Sequence, residues 1–281
     1  MIVSLPDAFL DIIVKYREIK RTGNIHTNIN IKIGGNAANF SIALAKLGIE
    51  NKLIFHSGKL IKNLLEEFVK RNNLKVNLLW VETEDSITVA LEKEDRVMFT
   101  DPKGIQIDKI EKYKDIIEKA KYIFFGNWNN NKKSNKLLRW VIENSKAKIF
   151  LDIGDPSVNY ENIDELIEIL KREKIWVLSL NEYELEFLCN YLNIKDNILN
   201  MAEKLYSILN VERLDLHTPE FVYTLPNKVL VKVNRVEPKI LTGAGDTWNA
   251  ANFYGYINNF DDYSRLKFAN EIAKKYVLGE F

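Results

Sequence analysis

An aspartate closes a glycine-rich turn in Leu241-Thr242-Gly243-Ala244-Gly245-Asp246-Thr247, between a strand-like run at Val229 to Val233 and a helix-like run at Trp248 to Tyr256. Glycines let backbone N–H groups approach an anion closely, and a helix start adds partial positive charge. An aspartate in that first turn can cap the helix, or it can take the proton of a hydroxyl held against developing phosphoryl charge. A second junction of small residues, Gly34-Gly35-Asn36-Ala37-Ala38-Asn39, ends a strand and opens a helix to Leu47, with Gly48 as its stop signal. Asn36 and Asn39 can offer amides to the hydroxyls of a neutral, polyhydroxylated ligand, or they can simply cap a tight strand-to-helix turn. A third motif, Asn181-Glu182-Tyr183-Glu184, follows the strand-like run Ile175 to Leu180, at the carboxyl end where α/β proteins place their ligands. Glu184 there can help hold a hydrated Mg²⁺, and Asn181 can support a phosphate or a metal-bound water. A solvated helix start is the alternative.

The elements that must position these residues alternate between strand and helix, the pattern of a parallel sheet covered by helices. Strand-like runs fall at Lys52 to Phe55, Tyr122 to Phe125, Lys148 to Asp152 and Ile175 to Leu180. Helical spacing of apolar residues marks Ile61 to Asn72, Lys109 to Lys119, Asn135 to Asn144, Ile163 to Lys171 and Glu182 to Leu192. Two regions break the rhythm. Ile12 to Ile33 contains alternating segments, and Ser86 to Thr100 reads as a hairpin turning at Glu92 to Asp95; both look like half-exposed strands. Paired, they would form a small sheet lying over one end of the main body as a lid. The polar stretch Asn127 to Lys133 reads as a mobile loop.

Length and composition narrow the classes. The 281 residues fit one large α/β domain, here taken as 1–281 with lid strands drawn from about 12–33 and 86–100. Lys plus Arg total 40 against 39 for Asp plus Glu, so there is no general attraction to nucleic acid or to an anionic membrane surface. Cys189 is the only cysteine, which excludes an internal disulfide and fits a reducing, cytoplasmic setting. No apolar run approaches the ~18–20 residues that span a bilayer. His26, His56 and His217 are too scattered for a metal motif, and Trp128, Trp140, Trp176 and Trp248 read as core or wall residues.

In order and spacing the three motifs resemble the ribokinase or phosphofructokinase-B family of carbohydrate and nucleoside kinases, over nearly the whole chain. The resemblance implies a mainly parallel sheet covered by helices on both faces, with a small β-sheet lid. It implies that Asp11, at the end of the first strand, binds substrate hydroxyls together with Gly34, Gly35, Asn36 and Asn39. Asn181 and Glu184 match the family's Asn-x-x-Glu motif, and Gly243, Ala244 and Gly245 match its anion hole beside the catalytic base Asp246. Thr218 and Asn270 fall where the family borders its nucleotide. ATP is then the phosphoryl donor, with ADP as the alternative, and Glu184 holds Mg²⁺ through water. The acceptor is a sugar or related polyol; a nucleoside is one alternative, and a sugar phosphate met by Arg96 is another. A non-catalytic sugar-binding relative is a third reading, against which the intact Asp246 turn speaks. An exposed lid edge could pair with a second copy to give a homodimer. The chain departs from the family at Leu216 to Phe221, which lacks the glycines of the usual nucleotide loop. It departs also around Leu5-Pro6 and Gly58-Lys59. Asp152-Ile153-Gly154 and Asp155-Pro156-Ser157 compete for one further family segment.

Overall fold

The computed structural model describes residues 1–16, 23–93 and 96–281. Residues 17–22, inside the expected 12–33 lid segment, and 94–95, at the expected hairpin turn, lie outside the described residues. In chain order the strands are β1 (Ile2–Leu5), β2 (Phe9–Lys15), β3 (Ile29–Gly34), β4 (Asn51–Ser57), β5 (Val76–Glu82), β6 (Ser86–Glu92), β7 (Arg96–Asp101), β8 (Tyr122–Phe125), β9 (Lys148–Asp152), β10 (Ile175–Asn181), β11 (Val211–His217), β12 (Phe221–Leu225) and β13 (Val229–Lys232). The helices are α1 (Asn36–Lys46), α2 (Lys59–Arg71), α3 (Ile107–Ile110), α4 (Lys114–Glu118), α5 (Ser134–Asn144), α6 (Ile163–Arg172), α7 (Glu182–Tyr191), α8 (Ile198–Ile208), α9 (Ala244–Ile257) and α10 (Asp262–Val277).

The main sheet runs β13-β12-β11-β10-β9-β8-β1-β4-β5. It is parallel from β5 through β11, and β12 and β13 add an antiparallel edge. Its central strands are continuously apolar because both faces are covered. Ile123 and Phe125 of β8 enter the core shared with α5 to α8, whereas Phe124 between them joins Phe40 of α1 and Phe253 of α9 on the opposite face. The rings of Phe40 and Phe124 stack with centroids 3.8 Å apart, and Phe253 meets Phe40 edge-on at 5.4 Å. Such pairs add about 0.5–1.5 kcal/mol each beyond the area they bury. They seat α1 and α9 side by side, and these two helices begin with the two glycine-rich motifs.

The lid is a second sheet of order β3-β2-β6-β7, in which β2 pairs antiparallel with β3 and parallel with β6. Its alternation sorts the two faces. One face carries Asp11, Lys32, Thr88 and Thr100, which share a row across the four strands. The neighbouring rows, Ile31-Ile12-Val89-Phe99 and Ile29-Val14-Leu91-Val97, are wholly apolar and belong to the other face.

Three expectations change. Asp11 does not end the first strand: β1 stops at Leu5, the chain crosses at Pro6 to Ala8 into the lid, and Asp11 sits within β2 opposite Lys32. The helix read at Lys109 to Lys119 is broken into α3, a 3₁₀ turn at Glu111–Tyr113, and α4. Lys112 and Tyr113 in that turn both donate to the carbonyl of Trp80, which ties the break to β5. The polar stretch at Asn127 to Lys133 is no loose loop. It holds a 3₁₀ turn whose Trp128 is fully buried and donates from Nε1 to Asn135 Oδ1 at 2.7 Å.

Candidate active site

A cleft of about 1060 Å³ opens between the polar face of the lid and the carboxyl ends of the strands. It brings together Asp11 from the lid, Gly35, Asn36 and Asn39 from the first junction, Asn181 and Glu184 from the start of α7, and Gly243, Gly245 and Asp246 from the start of α9. Four motifs far apart in sequence therefore meet in one place. Gly34 lies just beneath: a Cβ there would stand 2.1 Å from the Asp11 carboxyl, so the glycine makes room for that side chain.

Gly243 occupies the N-cap of α9 with φ 93°, left-handed backbone that a side chain disfavours, and a Cβ on it would meet the Tyr276 hydroxyl at 2.5 Å. The N–H of Ala244 is engaged by the Leu241 carbonyl at 3.2 Å. Those of Gly245 and Asp246 have no partner among the described residues, the condition in which a helix start receives an anion. Asp246 is buried, and its Oδ2 accepts from Asn39 Nδ2 at 2.8 Å. Burial raises the Asp246 carboxyl above its ordinary range, against the Asn39 hydrogen bond and the charges of Arg96 and Lys32, which lower it.

Further buried carboxyls surround it. Asp152, at the end of β9, accepts from Gly154 N at 2.9 Å, Asn249 Nδ2 at 2.7 Å and Asn36 Nδ2 at 3.4 Å. Burial and the neighbouring Asp246 push it up to about 7. Asp155 instead caps the following 3₁₀ turn, accepting from Ser157 N at 2.9 Å, so the structure separates the two aspartates that sequence left undecided. Glu184 closes a capping box with Asn181, accepting from its backbone N at 2.9 Å and its Nδ2 at 2.7 Å. Burial and then Asp152 hold the Glu184 carboxyl well above its usual range. Asp11 is raised to about 6, chiefly by burial, with Lys32 opposing. Asp7, also buried, is raised to about 7 by burial despite a hydrogen bond from Asn127 Nδ2 at 2.9 Å.

This concentration of oxygen donors suits a hard divalent cation, whose charge would relieve the repulsion between Asp152 and Glu184. Both Glu184 oxygens are already bonded to Asn181, and no group of three His, Cys, Asp or Glu among the described residues is placed to hold a metal directly. The residues fit Mg²⁺ met through its waters.

Two expected nucleotide residues stand apart. Thr218 lies in the tight turn from β11 to β12, where its Oγ1 donates to the Phe221 carbonyl at 2.8 Å and accepts from the N–H groups of Glu220 and Phe221. Asn270 accepts from Trp248 Nε1 at 3.0 Å. Neither is among the residues lining the cleft. His217 does line it, its ring 4.8 Å from that of Trp248, and burial lowers it to about 4, so it presents a neutral aromatic face. Sequence reasoning missed Lys32, Asp7, His217 and the Asn129 to Asn131 wall. Lys32 carried the one available signal, the only charge within the alternating run before Gly34.

A mainly parallel sheet with helices on both faces and a β lid over a polar cleft is the ribokinase-like fold. The solved structures most similar in shape include phosphofructokinase-2 from Escherichia coli in complex with substrates and products, with a TM-score of 0.79, 16% identity, and coverage of 99% of this chain and 93% of that chain. Ribokinase from Thermotoga maritima matches with a TM-score of 0.78, 16% identity, and 98% and 92% coverage. Adenosine kinase from Sinorhizobium meliloti matches with a TM-score of 0.77, 15% identity, and 98% and 93% coverage. No curated protein matches the sequence. The pfkB family carbohydrate kinase matches residues 1–279, and the chain belongs to that family: it is a sugar or nucleoside kinase, a phosphotransferase with an alcohol acceptor. No helix among the described residues is long and apolar enough to cross a membrane.

Proposed function

We propose that this enzyme transfers the γ-phosphoryl group of ATP to a hydroxyl of a sugar or related polyol, with Asp246 as the general base. The observation that carries the reading is the pairing of Asp246 with N–H groups at the start of α9 that have no partner among the described residues, facing a lid that presents Asp11. Asp246 takes the hydroxyl proton, the hydroxyl oxygen attacks the γ-phosphorus, and the bridging oxygen departs with ADP. The N–H groups of Gly245 and Asp246, with Ala244 and Gly243 setting the turn, steady charge on the transferring group. Asp11 accepts from acceptor hydroxyls over Gly34 and Gly35, while Asn36 and Asn39 orient Asp152 and Asp246 as well as the acceptor.

The walls support a hydroxyl-rich acceptor. Asn127, Asn129, Asn130 and Asn131 line the cleft, and Asn129 Oδ1 is buried without a partner among the described residues, an oxygen ready for an O–H. Arg96 and Lys132 on the same cleft favour a sugar phosphate as the second reading. Thr218 and Asn270 have no part in this proposal, since neither lines the cleft. The test is a phosphorylation screen of ATP and ADP against sugars, polyols, nucleosides and sugar phosphates. Transfer from ATP to a sugar or polyol supports the reading, and transfer only to nucleosides rejects it.

When bound, Mg²⁺ would neutralise donor phosphate charge, with Asn181, Glu184 and Asp152 around its waters. Glu184→Gln is expected to raise the Mg²⁺ concentration needed for half-maximal rate, and an unchanged Mg²⁺ titration would reduce Glu184 to a helix cap. Glutamine at this position can still accept from the Asn181 N–H, so the capping box should persist and the thermal melt should change little.

The proposed assembly is a homodimer through the lid. Ile29, Ile31, Val97 and Phe99 are exposed on its outer face, in line with the apolar residues of β2 and β6. The two apolar rows on this face are self-complementary, so a second copy can cover them. Phosphofructokinase-2 from Escherichia coli has a tetrameric inhibited form. Sedimentation should show a dimer for the wild type and a monomer for Ile31→Asp combined with Phe99→Asp. A monomeric wild type at micromolar concentration contradicts the assembly.

A further inference from the structure

The turn that opens α9 is approached by a chain segment, residues 233–241, with no helix or strand of its own. What fixes the last residue before the glycines is therefore a question of side-chain contacts. Thr242 is buried, and every polar group it offers beyond its N–H is taken by another element. Its carbonyl accepts from Lys32 Nζ at 2.5 Å and from the Tyr276 hydroxyl at 2.7 Å. Its hydroxyl donates to Glu92 Oε1 at 2.7 Å. Lys32 belongs to β3 and Glu92 to β6, so two of the three contacts come from the lid and one from α10. Lys32 also donates to the Tyr276 hydroxyl at 3.0 Å, and a third lid side chain, Lys15 of β2, reaches the carbonyl of Lys239 at 2.7 Å.

Lys32 shares a cross-strand row with Asp11, and a simpler reading would make it that aspartate's counter-charge. Its nitrogen forms no ion pair within 4 Å among the described residues; it goes to a carbonyl instead. That carbonyl belongs to the peptide joining Thr242 to Gly243. An ammonium at the oxygen end of a peptide polarises the whole unit and strengthens the N–H at its other end, on the side of the anion-binding turn.

We propose that Lys32 is a positioning residue for phosphoryl transfer: from the lid it holds the Thr242–Gly243 peptide, with Glu92 holding the Thr242 hydroxyl, so that the turn keeps its geometry only while the lid is seated on it. The inference rests on the reading of Gly243 to Asp246 as the phosphoryl site. It gives the lid a second task beyond covering the acceptor, because seating the lid and setting the anion-binding amides become one event.

The test is hydrogen exchange on the full chain without ligands, following peptides that cover residues 241–247, alongside steady-state kinetics. Lys32→Met should accelerate exchange there by about ten- to a hundredfold, the weight of a hydrogen bond from a charged donor, and lower kcat by a similar factor. Exchange in β1 and β8 should be unchanged. Lys32→Arg, whose guanidinium can still donate to the carbonyl, should recover most of both. Wild-type exchange at 241–247 in Lys32→Met overturns the proposal. Should that variant fail to fold, Glu92→Leu reads the other arm: acceleration confined to the turn supports the proposal, and wild-type exchange there overturns it. Because exchange needs no substrate, full turnover in an Asp246 variant would defeat the functional reading while leaving the lid contact standing, and the opposite pattern would defeat only the lid contact.

Discussion

Asp246→Asn is expected to lower turnover by about 10²–10⁴ while leaving ligand binding largely intact, the usual share of a positioned general base. Asparagine keeps the shape and can still accept from Asn39 Nδ2, which lies 2.8 Å from the carboxylate in the wild type. What it removes is the capacity to take a proton. The fold should tolerate the change. A buried carboxyl whose folded value is raised costs stability once the pH exceeds its unfolded value, because the unfolded chain releases that proton first. The neutral variant escapes this cost, so at pH 8 it should melt no lower than the wild type. Near-wild-type turnover would remove Asp246 from the chemistry.

The second large effect is expected at the acceptor. Asp11 lies on the lid row that faces the cleft, with Gly34 cleared beneath it and Lys32 and Arg96 lowering its carboxyl against the stronger effect of burial. Its proposed partners are hydroxyls of the acceptor and no part of the donor. A site built to bond a hydroxyl loses about 1–3 kcal/mol when one partner is removed. Asp11→Ala should therefore weaken acceptor affinity roughly ten- to a hundredfold at ~1.4 kcal/mol per factor of ten, with nucleotide binding measured alone unchanged. Calorimetry that finds the nucleotide weakened and the acceptor untouched would reverse the placement of the two ligands.

Much of this arrangement was legible because burial on both faces leaves a plain mark. Tyr122–Phe125 and Lys148–Asp152 appear as the expected strands, and the alternation in Ser86 to Thr100 identifies half of the lid. The glycine-rich turns were readable because close approach and left-handed backbone admit few other residues. Less visible was anything decided by long-range contact. Asp11 looked like the end of a first strand because nothing local marks the crossing from β1 into the lid. Asp152 and Asp155 carry similar local sequence. Only packing shows that one meets Asn249 and Asn36 while the other caps a turn. Asn127 to Asn131 looked solvated because it is polar, yet its backbone is satisfied from inside: Asn159 Nδ2 bonds the carbonyls of Trp128 and Asn131. Lys32 passed as the solvent face of a strand, since its partner Thr242 stands far along the chain.

The measurement that bears most directly on the central claim is product analysis by ³¹P NMR, with ATP, Mg²⁺ and the best acceptor from the screen, for the wild type beside Asp246→Asn. The account predicts a phosphate monoester of the acceptor that grows in step with ADP in the wild type and is nearly absent from the variant over the same interval. Release of inorganic phosphate without ester, or equal ester from both proteins, would contradict it.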